Sequence, residues 1–144
     1  MSDEPTGRVL ALDLGHKRIG VAVSDQARAI AQPLCVLERA GRDQDVAAIG
    51  RLAAEQAAVL IVLGLPRRTD DSLGPEAEKA FSFGRRLHRV LSLPVAYVDE
   101  WETTVEAQEL LISGGASRQR RRQVVDKLAA AIILRRFLDS RGVE

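Results

Sequence analysis

Three acidic residues occupy positions at which a carboxylate could take part in chemistry. Asp13 ends the first apolar run, Glu100 follows the last predicted strand, and Asp126 opens the last predicted helix. Aspartate is depleted in strands and is rarely buried without a partner. Asp13 is therefore either hydrated or hydrogen-bonded at the end of its strand, or bound to a metal ion. Glu100, taken alone, is more typical of a hydrated surface acid, because strand ends are usually exposed.

The residues that follow Asp126 predict that its side chain faces the core. Apolar residues recur three, four, seven and eleven positions beyond it, and this spacing puts them on its own helix face. A carboxylate on that face points towards the sheet rather than towards water. The alternative is an acid in the first helical turn that complements the helix dipole. The apolar residues are Ala129, Ala130, Ile133 and Phe137.

Convergence of the three carboxylates would create a metal site. In open α/β sheets, ligands bind beyond the carboxyl ends of the strands, where Glu100 and Asp126 could approach Asp13. Three carboxylates held close together repel one another unless a cation neutralises them. The hard cations Mg²⁺ and Mn²⁺ suit oxygen ligands. Two such ions about 4 Å apart could activate water and stabilise the leaving oxygen during hydrolysis of a phosphodiester.

The segments that must position these acids alternate between apolar runs and amphipathic stretches. Residues 9–12 and 19–23 flank a glycine-containing turn and predict a β-hairpin. Pro33 interrupts the third predicted strand, residues 29–37, and favours an edge position for that strand. The continuous apolar run over residues 59–63 is typical of a buried parallel strand. The remaining predicted elements are a helix ending near Gln56, a helix over 75–91, a strand over 95–98, a helix over 103–113 and a helix over 124–140.

The order of these elements predicts the fold class. Three strands come first, alternating helices and strands follow, and two helices end the chain, which indicates an α/β domain with one mixed five-stranded sheet flanked by helices. This is the element order of a ribonuclease H-like domain. The length of 144 residues is that of one domain, and no linker or internal repeat divides residues 1–144.

The composition predicts a globular protein of the cytoplasm. Hydrophobic residues make up 46% of the chain and charged residues 28%, which is ordinary for a soluble domain. The one cysteine, Cys35, cannot form an internal disulfide and suggests a reducing compartment. The first residues lack an apolar signal region, and no apolar run is long enough to cross a bilayer. We therefore expect no contact with a membrane.

The uneven distribution of basic residues indicates a nucleic-acid partner. The net charge is +1, yet residues 115–144 hold eight basic and three acidic residues. Of the 21 basic residues, 18 are arginine, which suits bidentate recognition of phosphate. A basic loop is predicted over residues 116–123, just before Asp126, and it is either simply solvated or a surface for a phosphate backbone. Its arginines are Arg118, Arg120, Arg121 and Arg122.

Two further basic pairs are candidates for contact with nucleic acid. Arg67 and Arg68 follow the strand predicted over residues 59–63, at a strand end where ligands gather. Lys17 and Arg18 lie on the opening hairpin. Arg18 is either a substrate contact or the partner in a structural salt bridge.

Four motifs follow one another along the chain: residues 13–25 (DLGHKRIGVAVSD), residues 64–66 (GLP), residues 98–100 (VDE) with Thr103 and Thr104, and residues 126–134 (DKLAAAIIL). In this order they resemble the motifs of the YqgF family, also called RuvX, whose members are RuvC-like proteins. The resemblance extends over roughly residues 9–138. It implies a ribonuclease H fold and a cytoplasmic, metal-dependent nuclease proposed to trim the 5′ end of the 16S ribosomal RNA precursor. The family's acidic residues fall on Asp13, Glu100 and Asp126, which implies that these three hold Mg²⁺ or Mn²⁺.

The resemblance leaves other functions open. Some family members look like Holliday junction resolvases of DNA recombination and repair, and junction cleavage would favour a homodimer that nicks symmetrically. A nucleic-acid or ribosome-assembly protein without catalytic activity is a second alternative. An ATP-binding, actin-like domain would need a second Asp-x-Gly hairpin, which this chain lacks. The chain also departs from many relatives at Trp101, where arginine is common, and at Glu102, which adds a charge.

Overall fold

The strands and helices follow the order that the sequence predicted. The computed structural model describes residues 6–66, 74–99 and 118–141, with side chains in the last segment described for residues 125–140. The predicted helix over residues 103–113 lies outside these ranges. The strands are β1 (Arg8–Leu14), β2 (Arg18–Ser24), β3 (Ala31–Glu38), β4 (Ala58–Leu65) and β5 (Val95–Asp99). The helices are α1 (Arg42–Glu55), α2 (Pro75–Leu91) and α3 (Arg118–Arg141).

The five strands form one mixed sheet in the order β3-β2-β1-β4-β5, which confirms the predicted sheet. The β1–β2 and β2–β3 pairings are antiparallel, and the β1–β4 and β4–β5 pairings are parallel. β3 lies at one edge, as Pro33 predicted. The pairing of β2 with β3 is irregular between Val21 and Ala22, beside Pro33. Proline has no N–H to donate to a neighbouring strand, so an edge position is the one that tolerates it.

Both faces of the sheet are covered, because alternate residues of each strand point to opposite faces. Leu10 of β1 packs in a cluster with residues of α1 and α2, including Leu87. Its neighbour Ala11 packs on the other face with α3, including Ile133. Leu10, Leu87 and Ile133 are fully buried, and each such side chain contributes about 1.5–3 kcal/mol through burial. The sheet is therefore held between α1 and α2 on one side and α3 on the other.

The last helix begins at Arg118, earlier than predicted. The prediction of a basic loop over residues 116–123 is wrong for residues 118–123, which form the first turns of α3. Arginine and glutamine are good helix formers, and no glycine or proline interrupts residues 116–141. The helix propensity of these residues thus outweighs the mutual repulsion of their charges. Although α3 is 24 residues long, neither it nor another helix within the described ranges has an apolar stretch able to cross a membrane.

Candidate active site

Asp13 lies near the carboxyl end of the central strand. It is the sixth of the seven residues of β1 and is partly exposed. By the alternation of the strand, its side chain shares a face with Val9 and Ala11, which pack against α3. β1 and β4 run parallel, so their carboxyl ends meet at the same edge of the sheet. Asp13 therefore lies where ligands collect in α/β sheets.

α3 crosses β2 directly beside Asp13. The carbonyl oxygen of Asp126 lies so close to Gly20 that a Cβ atom added to Gly20 would come within 1.9 Å of it. Gly20 is in turn the Cα partner of Asp13 in the β1–β2 pairing. The lack of a side chain at position 20 therefore lets α3 bring the backbone of Asp126 next to Asp13. Gly20 was not among the predicted site residues, although a glycine inside an apolar strand often marks a close backbone approach.

Asp126 faces the sheet, as its apolar helix face predicted. Its side chain is 23% exposed and contacts Arg18 of β2. The prediction that Asp126 opens the last helix is wrong, because Asp126 is the ninth residue of α3. This position also rules out the alternative of a first-turn acid, since the helix dipole acts mainly within the first turn.

Arg18 forms an ion pair with Asp126. Its Nε donates to Oδ2 of Asp126 at 2.8 Å, and its side chain is 25% exposed. The hydrogen bond and the negative charge of Asp126 raise the pKa of Arg18 above its ordinary value. Of the two interpretations of Arg18 from sequence, the structure supplies the contact required for a salt bridge, and that salt bridge lies inside the candidate site.

The turn between β1 and β2 is closed and fixed by backbone hydrogen bonds. The N–H of Gly15 donates to the carbonyl oxygen of Arg18 at 2.9 Å. A Cβ atom on Gly15 would lie 2.7 Å from that same oxygen, so the turn requires glycine here. The N–H of Arg39 donates to the carbonyl oxygen of Lys17 at 2.9 Å, which ties the turn to the end of β3. Arg18 and Asp13 are thereby carried on a well-defined hairpin.

A second ion pair, between Arg39 and Asp45, supports this turn from α1. Nη1 of Arg39 donates to the carbonyl oxygen of Gly15 at 2.9 Å, and its Nε donates to Oδ2 of Asp45 at 3.2 Å. Asp45 is 4% exposed, and its Oδ1 accepts from the N–H of Ala40 at 3.0 Å. The guanidinium also lies 5.7 Å from the ring centre of Phe83 in α2. The sequence did not predict this pair of Arg39 and Asp45, because Asp45 resembles an ordinary acid in the first turn of a helix.

The other predicted contacts of the hairpin are exposed. Lys17 lies on the turn beside His16, and both side chains are exposed. Nε2 of His16 lies 4.0 Å from Oε2 of Glu76, at the beginning of α2. Arg67 and Arg68 lie outside the described residues. The hairpin turn and the amino end of α2 therefore border the site on the side opposite α3.

Glu100 also lies outside the described residues, directly after Asp99, the last residue of β5. Nη1 of Arg136 in α3 donates to the carbonyl oxygen of Asp99 at 3.2 Å, which ties the end of β5 to α3. The backbone of the basic segment is the beginning of α3, but its side chains are not described. That segment holds Arg118, Arg120, Arg121 and Arg122.

Asp13 and Asp126 are the described carboxylates that could hold a divalent cation. Within residues 6–66, 74–99 and 118–141, no three His, Cys, Asp or Glu side chains are grouped closely enough to form a metal site by themselves. The two carboxylates nevertheless suit Mg²⁺ or Mn²⁺, which prefer oxygen ligands and, for Mg²⁺, keep several waters. The Arg18 guanidinium on Asp126 shows that the site accepts a positive charge. The donors present thus fit such a cation.

Solved structures with the same fold include Holliday junction resolvases. T. thermophilus RuvC in complex with a Holliday junction substrate superposes with a TM-score of 0.60 at 13% identity, over 95% of this chain and 97% of RuvC. The yeast mitochondrial Holliday junction resolvase Ydc2 superposes with a TM-score of 0.57 at 16% identity, over 96% of this chain and 80% of Ydc2. These similarities confirm the predicted ribonuclease H-like fold.

Sequence comparison identifies much closer relatives. A protein of Caldanaerobacter subterraneus subsp. tengcongensis is 45% identical over 134 residues, which are 92% of this chain and 96% of the relative. A protein of Pelotomaculum thermopropionicum is 48% identical over 136 residues, which are 94% of this chain and 88% of the relative. Both bear the name "Putative pre-16S rRNA nuclease". The family model described as "RuvX: Holliday junction resolvase" matches residues 7–140. The chain therefore belongs to the RuvX family, as its motifs indicated.

Proposed function

We propose that this RuvX-family nuclease hydrolyses phosphodiester bonds of the 16S ribosomal RNA precursor, at its 5′ end, with divalent cations held by carboxylates at the carboxyl edge of the sheet. The observation that carries the proposal is the contact of Asp126 with Gly20, which sets two carboxylate-bearing residues side by side over β1 and β2. The names of relatives at 45% and 48% identity support the choice of substrate. Such processing would take place in the cytoplasm.

Asp13, Asp126 and Glu100 hold the cations in this proposal. Asp13 lies beside Gly20 in the sheet, and the backbone of Asp126 lies against Gly20. Glu100 follows β5, which runs parallel to β4 and thus ends at the same edge as β1. A bound pair of Mg²⁺ or Mn²⁺ ions would supply an activated water and stabilisation of the leaving oxygen. The chain's own contribution is to fix the carboxylates, Asp13 by strand pairing and Asp126 by the contact of α3 with Gly20.

The basic residues around this edge support a nucleic-acid substrate. The amino end of α3 carries a cluster of arginines one to two turns before Asp126, and the amino end of a helix itself attracts phosphate. Lys17 projects from the exposed hairpin turn, and two arginines follow the end of β4. Neutralising several phosphates with these residues would make binding strongly dependent on salt. The proposed contacts are Lys17, Arg18, Arg67, Arg68, Arg118, Arg120, Arg121 and Arg122.

Resolution of four-way DNA junctions is the second candidate function. The description of the matching family model favours it. The RuvC-like structures are similar at 13–16% identity, which supports the fold rather than the substrate. Junction resolution would also call for a homodimer, because two symmetric nicks need two sites. The closer relatives place ribosomal RNA first.

Cleavage of the two substrates side by side tests the proposal. A fragment of 16S rRNA precursor and a synthetic four-way junction are incubated with the protein and Mg²⁺ or Mn²⁺, and products are resolved on denaturing gels. We expect cleavage of the RNA near the mature 5′ end, dependent on the cation. Asp13→Asn keeps the size of the side chain and removes its charge, so it should abolish cleavage while binding to RNA persists.

The possible results separate the candidates. Preferential cleavage of the junction would replace the ribosomal assignment by the resolvase. Undiminished cleavage by Asp13→Asn would contradict the proposed site. Binding of RNA without cleavage of either substrate, with both cations tried, would instead support a protein without catalytic activity.

A further inference from the structure

Arg18 brings a positive charge into the site that the proposed function assigns to metal ions. Its Nε donates to Oδ2 of Asp126 at 2.8 Å. We propose that Arg18 is an exchangeable counter-ion, whose guanidinium neutralises Asp126 while no metal is bound and is displaced from that carboxylate by a divalent cation. This inference rests on the proposed function, because it requires Asp126 to be a metal ligand.

The positions of Asp13 and Asp126 explain why a counter-ion is needed. Both residues meet at Gly20, on the face of the sheet that α3 covers. Neighbouring carboxylates repel each other, and a partly buried carboxylate is destabilised when it has no counter-charge. Arg18 precedes Gly20 by two residues in β2, so strand alternation puts it on that same face. A cation of the chain itself thus neutralises Asp126.

The ion pair is accessible enough to be broken. The side chains of Arg18 and Asp126 are 25% and 23% exposed, so that water and dissolved ions reach both partners. Ion pairs in contact with water contribute little to stability, because solvent screens them. A divalent cation carries twice the charge of a guanidinium and binds oxygen ligands directly. Displacement of Arg18 is therefore favourable once several oxygen ligands converge on the cation.

Exchange requires movement of the arginine side chain alone. The β2 backbone at Arg18 is held by pairing with β3, in which Glu38 is the Cα partner of Arg18. The backbone of Asp126 is held against Gly20. The side chain of Arg18 can therefore leave Asp126 without movement of either backbone.

Calorimetric titration with Mn²⁺ alone, without nucleic acid, tests the exchange. Arg18→Gln removes the competing charge and should bind Mn²⁺ about two- to fivefold more tightly than the wild type, the range that a weak ion pair implies. Lys17→Gln is the matched control, because it removes one charge from the adjacent, exposed residue, and its affinity should change less. Asp126→Asn removes the proposed ligand and should weaken binding about tenfold or more.

Each result bears on a different claim. Tighter binding by Arg18→Gln with weaker binding by Asp126→Asn supports the exchange. If Asp126→Asn weakens binding and Arg18→Gln does not strengthen it, the exchange is contradicted and the proposed metal site stands. Equal strengthening by Lys17→Gln also contradicts the exchange, because it indicates a general effect of charge. If Asp126→Asn binds as well as the wild type, or the wild type binds no Mn²⁺, the metal site and the exchange both fail.

Nuclear magnetic resonance of the wild-type protein gives a readout that needs no variant to bind metal. The Nε–H signal of Arg18 is identified by its absence from the spectrum of Arg18→Lys. Addition of Mg²⁺, which is diamagnetic, should shift this signal towards that of a solvated arginine and speed its exchange with water. An unchanged Arg18 signal, while the backbone amide of Asp126 responds to Mg²⁺, would overturn the proposal.

Discussion

Two arginine–aspartate pairs flank the same hairpin turn and differ in how deeply they are buried. Asp45 is 4% exposed and accepts hydrogen bonds on both oxygens, from Arg39 and from the N–H of Ala40. Asp126 is 23% exposed, and its partner Arg18 is exposed to a similar extent. The same two side-chain types therefore stabilise the turn in one place and stay open to exchange in the other. Burial and fixed backbone donors, rather than residue type, separate a structural pair from a functional one.

The two pairs also have different roles around Asp13. Arg39 fixes the turn by donating to the carbonyl oxygens of Gly15 and Lys17, and it is itself held by Asp45. Arg18 projects from that rigid hairpin towards α3. In the proposed exchange, the guanidinium of Arg18 moves while the hairpin that carries Asp13 stays in place.

Removal of the buried pair should have the largest effect on stability. Asp45→Ala leaves Arg39 and the N–H of Ala40 without their acceptor. Since hydrogen bonds to charged groups contribute roughly 1.5–3 kcal/mol, and Arg39 can partly rehydrate, we expect the free energy of unfolding to fall by about 2–3 kcal/mol in urea titrations. The affinity for Mn²⁺ should fall less than in Asp126→Asn, because the loss of Asp45 loosens the turn but removes no proposed ligand.

Asp43→Ala is the matched control for this change. Asp43 is also an acid in the first turn of α1, but it is 78% exposed and pairs with Arg86. Its replacement should lower the free energy of unfolding by less than about 1 kcal/mol. Equal losses in the two variants would mean that burial does not distinguish the pairs.

Gly20→Ala tests the close contact between Gly20 and the backbone of Asp126, which places Asp126 beside Asp13. The new Cβ atom would lie 1.9 Å from the carbonyl oxygen of Asp126, so α3 has to move away from the sheet. We expect a loss of about 1–3 kcal/mol in the free energy of unfolding, typical of an overpacked core, and weaker binding of Mn²⁺.

Gly50→Ala in α1 serves as the control for Gly20→Ala. A Cβ atom there meets the flexible tip of Leu91, whose Cδ2 would be 2.7 Å away, and alanine favours the helix. The stability should change by less than about 1 kcal/mol in either direction. If Gly20→Ala matches this mild behaviour and binds Mn²⁺ normally, the close contact has no role in the site.

Arg18→Gln should affect stability less than either change above. A partly exposed ion pair contributes about 0–1 kcal/mol, and salt screens it. The difference in the free energy of unfolding between Arg18→Gln and the wild type should therefore be small at low salt and shrink at high salt. A loss as large as that of Asp45→Ala would show that the Arg18 pair is structural.

A smaller effect is expected at Asp25, whose carboxylate accepts hydrogen bonds from two backbone N–H groups. Its Oδ1 accepts from the N–H groups of Ala29 at 2.8 Å and Ile30 at 3.0 Å. The hydrogen bond from Ile30 is the largest cause of its lowered pKa.

A lowered pKa of Asp25 in the folded state stabilises the protein above the unfolded pKa of about 3.9, and this contribution is lost as the pH falls through the folded pKa. Asp25→Asn should thus be less stable than the wild type at pH 7, and the two should converge in thermal melts as the pH is lowered below about 3.9. A stability gap that stays constant over this range would contradict the assignment.

The sequence predicted the sheet well because its strands are short apolar runs bounded by turn residues. Pro33 predicted an edge strand, and the continuous apolar run of β4 predicted a buried parallel strand, which the structure pairs with β1. The spacing of the apolar residues beyond Asp126 likewise predicted which face of α3 packs on the sheet. These features depend on local periodicity, which is visible in one sequence.

The contacts that assemble the site depend on residues far apart in the chain and were missed. Gly20 and Asp126 are separated by more than 100 residues, and nothing local to either reveals that one must accommodate the other. In the sequence, Asp45 resembles any acid in the first turn of a helix. Its ion pair with Arg39 becomes visible only in the folded structure. The sequence predicted a loop where α3 begins, because a run of arginines repels itself. In the structure, the helix propensity of these residues outweighs that repulsion.

Anomalous diffraction from crystals grown with Mn²⁺ tests the central claim, that Asp13 and Asp126 together hold a divalent cation. A peak is expected with carboxylate oxygens of both residues at about 2.0–2.3 Å, and with the guanidinium of Arg18 withdrawn from Oδ2 of Asp126. A peak that contacts neither carboxylate, or bound Mn²⁺ elsewhere with the Arg18–Asp126 pair intact, would contradict the account.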